Sequence, residues 1–296
     1  MELGKREAGS AVPLVLPIYK MLGETPLECL TRFRVCFPEY ADLPMTYAGR
    51  LDPMAEGLLL ILAGEECKNK EKYLALEKEY IFEILVGFHT DTHDLLGLVD
   101  GAVDGEVDGV VRGSVEEFEK NAKAEVGARE FEQVLTTFLG SHEQKYPLFS
   151  SKTVGGVPLH MIARDILKES EKEKVRGKIG EIDEENLPSR MVKISEIEKL
   201  SERKISMGGL EKEIRRRVAL IKGDFRQEKI LEKWGGEFGK IREFQIIKCR
   251  MLCSSGTYVR ALVHSLSKKL GIPMCTFSIF RSRLGSFTLC SLISLF

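Results

Sequence analysis

The 296-residue chain has no apolar run that approaches the roughly 20 residues a membrane-spanning helix needs. An N-terminal apolar stretch, Ala11 to Ile18, is short, follows mixed charges and lacks a convincing signal-peptide cleavage pattern, so we interpret it as a strand. A hydrophobic content of 43% with 30% charged residues is typical of an ordinary soluble protein. The sequence therefore predicts a cytoplasmic protein without a membrane partner.

Cysteines give no sign of a disulfide framework or a zinc site. There are seven, an odd number without regular spacing, which fits reduced thiols in the cytosol. Cys249 and Cys253 are four residues apart, but no second cysteine pair accompanies them. Internal repeats and low-complexity tracts are also lacking, and the length suits one large domain or two small ones. We expect a single elaborated catalytic domain over residues 1–296.

The chain has little net charge, −1, which by itself does not indicate nucleic-acid binding. The charges are segregated, however, because no Asp or Glu occurs from Gln245 to Phe296, where seven Lys and Arg residues lie. Conversely, the stretch from Asp91 to Asp108 is acidic. Local charge density governs phosphate contact, so a basic surface for RNA is possible, and a solvated basic face is equally compatible with the pattern.

Local patterns predict several elements. Thr25, Pro26 and Glu28 form a capping-box layout for a helix over about 26–37. Gly271 is expected to end a helix that follows Gly256. Strands are predicted at 80–86, 190–195 and 244–253. The apolar residues from Phe131 to Leu139 recur at helical spacing and are expected to pack in the core. An acidic loop is predicted at about 97–113 and a charged, aperiodic insertion at about 200–240. Within the insertion, the pattern favours a solvated helix face over RNA contact for four cations: Lys212, Arg215, Arg216 and Arg217.

Asp52 lies in a turn just before an apolar run. Pro53 forces Asp52 out of helical geometry, and Gly49 and Gly57 bracket the turn with backbone freedom. Such a turn holds one carboxylate where chemistry could use it. Asp-Pro turns are common, so a turn that merely ends a strand is the alternative interpretation.

Further segments occur in an order that resembles the TruB family of tRNA pseudouridine synthases. The resemblance extends from about Leu16 to Phe287, nearly the whole chain. Its motifs are Tyr19-Lys20-Met21-Leu22-Gly23-Glu24-Thr25-Pro26, Gly49-Arg50-Leu51-Asp52-Pro53, Lys78-Glu79-Tyr80, Gly87-Phe88-His89-Thr90-Asp91-Thr92-His93-Asp94 and Cys253-Ser254-Ser255-Gly256-Thr257-Tyr258-Val259-Arg260, with a weaker segment from Gln144 to Arg164.

The resemblance implies an α+β pseudouridine synthase fold, in which a large mixed, mostly antiparallel sheet is flanked by helices and carries a central RNA-binding cleft. It implies isomerisation of the T-loop uridine of tRNA, position fifty-five, with no cofactor and no metal. The partner would be the T-stem loop, without an obligatory protein partner and with a monomer as the default. Many relatives carry a C-terminal RNA-binding domain of the PUA type, and we expect none here because the sequence stops soon after Phe287.

The same resemblance assigns roles to individual residues. Asp52 matches the catalytic aspartate, and whether it attacks the ribose or abstracts a proton towards a glycal stays open. Arg260 matches the arginine that keeps this carboxylate ionised, and Tyr80 the tyrosine that stacks on the flipped base. The alternative interpretations are an ordinary surface arginine for Arg260 and an aromatic residue packed in the core for Tyr80. Substrate-binding roles are expected for Lys20, in a supporting position at the site, and for Tyr47, Arg50, Lys152, Arg164, Phe280 and Arg281.

Four of these assignments have a particular basis. Tyr47 stands where many relatives have a histidine that contacts the RNA, so that contact must be made differently. Lys152 and Arg164 lie in the segment 146–164, which in relatives forms a mobile thumb over the T-stem loop, and with His160 they would suit phosphate contacts. Phe280, next to Arg281, is near the apolar residue that walls the uracil pocket.

Three other functions compete with the tRNA synthase. His89 and His93, four apart, could share a metal in a hydrolase if the segment were helical, but its threonines make it a poor helix. An RNA-binding chaperone with the same fold would not require Asp52, Tyr80 and Arg260 together. A synthase acting on ribosomal RNA would share Gly-Arg-Leu-Asp, although the Thr25-Pro26 start and the Ser254 to Tyr258 segment favour the tRNA enzymes.

Overall fold

A computed structural model describes residues 14–100, 125–164, 186–235 and 243–292. Nine strands in this part of the chain form one sheet, in which β12 pairs with β3 in parallel and the other pairings are antiparallel. The central order is β1-β3-β12-β4-β11-β10-β7; in addition, β2 pairs with β3 and β13 pairs with β12. The strands are β1 Val15–Lys20, β2 Met45–Ala48, β3 Ala55–Ala63, β4 Lys78–Val86, β5 His89–Thr90, β6 Val99–Asp100, β7 Gly140–Lys145, β8 Thr153–Val154, β9 Val157–Pro158, β10 Ser189–Ser206, β11 Glu243–Cys253, β12 Met274–Leu284 and β13 Phe287–Thr288.

Six α-helices within the same described ranges accompany the sheet, and β5–β6 and β8–β9 form separate two-stranded pairs. The expected mixed, mostly antiparallel sheet flanked by helices is confirmed. Among the described residues, no helix is both long and apolar enough to span a membrane. The helices are α1 Pro26–Cys36, α2 Lys70–Leu74, α3 Ala128–Thr136, α4 Met207–Ala219, α5 Gln227–Trp234 and α6 Val259–Leu270.

Alternating side chains of the central strands supply two separate cores, because successive residues of a strand point to opposite faces. On one face, Phe82 of β4 and Met251 of β11 pack with Phe131 of α3 and Leu262 of α6. On the other face, residues of β4, β11 and β12 pack with α4 and α5, including Leu85, Phe244, Phe277, Leu210 and Trp234. Helices therefore cover both faces of the sheet.

The locally encoded elements appear as predicted. Thr25 Oγ1 accepts a hydrogen bond from Glu28 N, and the Glu28 carboxylate accepts one from Thr25 N, so the capping box of α1 is confirmed. Gly271 ends α6 in the left-handed conformation, φ 65°. The first strand begins at Val15, within the apolar stretch interpreted as a strand. The acidic loop lies largely outside the described residues.

The expectation of an aperiodic stretch at 200–240 is wrong for its described part. Strand β10 continues to Ser206, and α4 and α5 bury Leu210, Ile214 and Trp234. The buried apolar residues of α4, Leu210, Ile214 and Val218, recur at helical spacing, so the sequence carries a helical period that the surrounding charges and glycines obscure. Arg217 is also buried, with its guanidinium 4.7 Å from the Phe277 ring centroid, so it belongs to the core and not to a solvated face.

Candidate active site

The turn that carries Asp52 connects β2 to β3 and is fastened at several points. Ala55 N donates to Asp52 O at 3.0 Å, which closes the turn, and Gly23 N donates to Pro53 O at 2.9 Å. Strand β3 begins immediately afterwards and approaches β12 closely at Gly57, whose φ is 109°. An added Cβ at Gly57 would lie 2.4 Å from the carbonyl oxygen of Arg281, so only glycine fits there. Backbone hydrogen bonds and the close approach of β3 to β12 thus fix the position of the turn that carries the Asp52 carboxylate.

Arg281 is fully buried and binds the protein backbone. Its Nε donates to Leu58 O at 2.7 Å, and its two terminal nitrogens donate to the carbonyls of Arg50 and Gly49 at 3.2 Å each. This corrects the expectation that Arg281 binds substrate. Its planar guanidinium, with donors in a fixed fork, instead positions the turn before Asp52.

Replacing Arg281 by methionine removes the donor group that serves these three carbonyls. Because an unsatisfied acceptor costs roughly 1–3 kcal/mol, we expect Arg281→Met to lower the free energy of unfolding by at least about 2 kcal/mol. Urea unfolding measures this loss. The matched control is Arg283→Met, which removes a single 3.5 Å hydrogen bond to Gly285 O and should cost less than about 1 kcal/mol. Equal losses in the two variants would contradict the anchoring role.

Arg260 lies in the first turn of α6, far from Asp52 in the sequence, and its side chain contacts the Asp52 carboxylate. Its Nε donates to Asp52 Oδ2 at 2.8 Å. Only 3% of the Arg260 side chain is exposed, whereas 34% of the Asp52 side chain is exposed and so accessible to a ligand. Gln144 secures the start of α6, since its side-chain amide donates to Tyr258 O and accepts from Tyr258 N.

Two more backbone contacts and a second carboxylate complete the surroundings of Arg260. Its terminal nitrogens donate to Thr92 O at 2.8 Å and Phe149 O at 3.2 Å, and Asp94 Oδ2 lies 3.7 Å from its Nε. Burial alone would lower the pKa of Arg260, but the carboxylates of Asp52 and Asp94 outweigh it and raise the pKa. Burial also raises the pKa of Asp94, and Arg260 opposes that rise. Arg260 therefore stays charged beside Asp52.

A cleft of about 480 Å³ opens over this pair. Tyr47, Arg50 and Arg164 line it, so the structure brings these three expected substrate-binding residues together with Asp52 and Arg260. His160 of the 146–164 segment lines it as well. The cleft thus combines the accessible carboxylate of Asp52 with cations and aromatic faces, a suitable surface for a polyanion that carries flat bases.

Tyr80 and Lys20 lie beneath the cleft and do not line it. Tyr80 is 7% exposed and belongs to the same core cluster as Leu51 and Ala55, the neighbours of the Asp52 turn. Burial raises the pKa of Tyr80, and Arg281 opposes this. Lys20 is fully buried, and its Nζ donates to Ala55 O at 2.5 Å. Burial lowers the pKa of Lys20 to about 8. Lys20 therefore lies in a supporting position under the turn, and it does not line the cleft where substrate would bind.

Phe280 and Lys152 also lie away from the lining of the cleft. Phe280 precedes Arg281 on β12, so its side chain points to the opposite face of the sheet, where its ring centroid is 6.4 Å from that of Tyr19. The expected wall of the uracil pocket is therefore not found at Phe280. Lys152 is exposed, and its Nζ lies 5.3 Å from the centroid of the Tyr146 ring.

The structure adds residues to the site that sequence reasoning did not assign. Asp94 is the second carboxylate beside Arg260. The segment after α4 supplies Asp224, Phe225 and Arg226 to the cleft wall. Arg226 donates to Asp91 Oδ2 at 2.7 Å, and Arg164 Nη2 donates to Asp224 O at 2.9 Å. The Thr92 and Asp94 match to the family motif was a usable signal for Asp94, whereas no local pattern marks residues 224–226.

Comparison with known proteins gives concordant matches. A family model described as TruB family pseudouridylate synthase (N terminal domain) matches residues 44–199, just over half of the chain. The tRNA pseudouridine synthase B of Limosilactobacillus reuteri is 27% identical over 281 residues, which are 95% of this chain and 70% of that protein. The protein of the same name from Parabacteroides distasonis is 25% identical over 279 residues, which are 93% of this chain and 87% of that protein.

A solved structure of an H/ACA RNP bound to a substrate RNA containing 2'-deoxyuridine contains a chain that aligns with a TM-score of 0.50 at 16% sequence identity. The alignment covers 95% of this chain and 50% of the solved chain, so the present chain spans half of its length. This likeness supports the predicted fold. Because the family model covers more than half of the sequence and includes the turn that carries Asp52, the chain belongs to the TruB family of pseudouridylate synthases.

Proposed function

We propose that this protein is a tRNA pseudouridine synthase that isomerises the T-loop uridine at position fifty-five. The observation that carries the proposal is the Asp52–Arg260 pair in the floor of an open cleft, in a chain that belongs to the TruB family. Relatives at 25% and 27% identity are named tRNA pseudouridine synthase B. The catalytic unit would be one domain, acting as a cytoplasmic monomer without a cofactor or an obligatory protein partner.

Pseudouridine formation breaks the C1'–N1 bond of uridine, turns the uracil and joins C1' to C5. The C5 proton is then lost and N1 gains one, so no atom or electron is exchanged with a second substrate. The reaction needs an ionised carboxylate beside the ribose or base and a pocket that retains the detached uracil. Asp52 would supply the carboxylate. Arg260 would keep it ionised in surroundings from which the nucleotide excludes water.

The cleft lining supports binding of an extruded nucleotide. Tyr47 and Phe149 offer aromatic faces, and stacking on such a face contributes about 1–3 kcal/mol per base. Arg50 is exposed at the rim and would contact phosphates. Residues 146–164 contribute Ser150, Ser151, His160 and Arg164, consistent with a thumb that contacts the T-stem loop. The stacking role of Tyr80 stays a prediction.

The test is to incubate purified protein with an unmodified tRNA transcript and map pseudouridine by carbodiimide treatment and primer extension. We expect one new stop in the T loop, at the uridine of position fifty-five. The matched control transcript has cytidine at that position and should give no stop. Both transcripts present the same T-stem loop, so the comparison isolates the target base.

Other outcomes would identify the competing functions. Binding of the transcript without any stop would indicate that the protein is an RNA-binding chaperone with this fold and not a synthase. Absence of a stop in tRNA together with one in a ribosomal RNA transcript would assign the chemistry to another RNA. A stop elsewhere in the tRNA would retain the reaction and reject the position.

A further inference from the structure

Three of the five histidines in the chain converge beside the active site. His89 begins β5, His93 follows in the next turn, and His264 lies on α6. His89 Nε2 and His264 Nδ1 are 3.3 Å apart, and one nitrogen from each of the three rings lies within 4.8 Å of the others. The rings of His93 and His264 are stacked, with centroids 4.0 Å apart. The structure thus gathers three imidazoles from two distant segments.

His93 is presented to this cluster by an uncommon backbone conformation. Its φ is 60°, in the left-handed region, and it is one of two non-glycine residues with positive φ in the described part of the chain. Its N–H donates to Thr90 O at 3.0 Å, and its carbonyl accepts from Thr276 N at 2.9 Å. Such conformations persist only where the surroundings hold them, and they are concentrated at functional sites. A fixed turn, not a helix, therefore brings His93 back towards His89.

We propose that His89, His93 and His264 bind one divalent transition-metal ion, for which Zn²⁺ is the best chemical match, with water as the fourth ligand. Imidazole nitrogens suit zinc, copper and nickel, and three histidines plus one water form a tetrahedral zinc site. A zinc–nitrogen distance of about 2.0–2.1 Å places the ligand nitrogens of a tetrahedron about 3.3–3.4 Å apart. The His89–His264 separation already has this value, and the His89 ring centroid lies 5.5 and 5.3 Å from those of His93 and His264, close to the roughly 5.2 Å of two imidazoles on one tetrahedral ion. The His93 and His264 rings, stacked at 4.0 Å, must turn apart to direct their in-plane nitrogens at the ion, so binding would replace this stacking.

The ion would connect the two segments that hold Arg260. His264 is one helical turn after Arg260 on α6, and His93 lies between Thr92, whose carbonyl accepts from Arg260, and Asp94. Bound metal would therefore fasten α6 to the 89–94 segment next to the active site. It acts as a structural clip and takes no part in the isomerisation, and this inference does not depend on the proposed function.

The test uses untagged protein stripped of metal with a chelator. Co²⁺ is titrated as a spectroscopic probe, and Zn²⁺ affinity is measured by competition with a chromogenic chelator. We expect one Co²⁺ per chain with the visible absorption of a tetrahedral nitrogen and oxygen site, displaced by one Zn²⁺. Loss of an outer-shell partner weakens metal binding by 10–100-fold, so loss of a ligand should weaken it by more than about 100-fold in His264→Gln and in His89→Gln.

The matched control is His142→Gln, since His142 lies on β7 and packs against Phe138, away from the cluster. Circular dichroism of the metal-free variants verifies that each one folds, and with two ligand variants the failure of one to fold still leaves a test. Unchanged affinity in His142→Gln and weakened affinity in a ligand variant support the site. Absence of saturable one-to-one binding in the wild type, or equal binding in the ligand and control variants, would show that the three rings form only a hydrogen-bonded cluster.

Discussion

Asp52→Asn should abolish pseudouridine formation while the protein still folds and binds tRNA. Asparagine keeps the shape of the side chain but can neither attack the ribose nor accept a proton as a carboxylate does. Loss of a nucleophile or general base in other enzymes lowers the rate by about 10⁴-fold or more, and we expect a loss of that size here. Release of tritium from the C5 position of uridine in a single turnover measures the chemical step directly.

A nearby aspartate provides the control for this loss. Asp42 is exposed and lies ten residues earlier, before β2, so Asp42→Asn changes the protein charge by the same amount without touching the cleft. We expect its rate to equal that of the wild type. If Asp52→Asn retained more than a tenth of the wild-type rate with bound tRNA, the catalytic assignment of Asp52 would be wrong.

The sequence predicts well those features that short segments determine. The capping box at Thr25 and the C-terminal glycine at Gly271 act within one helical turn, and both appear as expected. Likewise, the strand that contains Tyr80 follows from a run of apolar and β-branched residues. The Asp52 turn was found from Pro53 and its flanking glycines, and the family resemblance then supplied Arg260 as its partner.

The sequence does not show features that depend on distant contacts. Arg281 has the charge of a phosphate ligand, and only the fold reveals that it binds the carbonyls before Asp52. Similarly, Phe280 was expected in the pocket, but the alternation of β12 turns it to the other face. The contribution of Phe225 and Arg226 requires α4 and α5 to pack on the sheet, and this packing joins segments that are far apart in the sequence.

Arg260→Met should remove activity and also destabilise the fold, unlike Asp52→Asn. Arg260 is buried beside Asp94, which is itself buried, so the methionine variant leaves a carboxylate without its cation. Breaking a buried pair in this way costs about 3–5 kcal/mol. Urea unfolding of the wild type and the variant measures the change in free energy, and tritium release measures the loss of catalysis.

Adding Asp94→Asn to Arg260→Met separates these two effects. The double variant has no buried uncompensated carboxylate, and the amide oxygen of the introduced asparagine could still accept from Thr92 and Leu96 as Asp94 Oδ1 does. We therefore expect stability to recover in part while activity stays lost, because Asp52 still lacks its cationic partner. A double variant as unstable as the sum of the single variants would show that Asp94 and Arg260 do not stabilise each other. Recovery of activity would instead contradict the role of Arg260 in keeping Asp52 ionised.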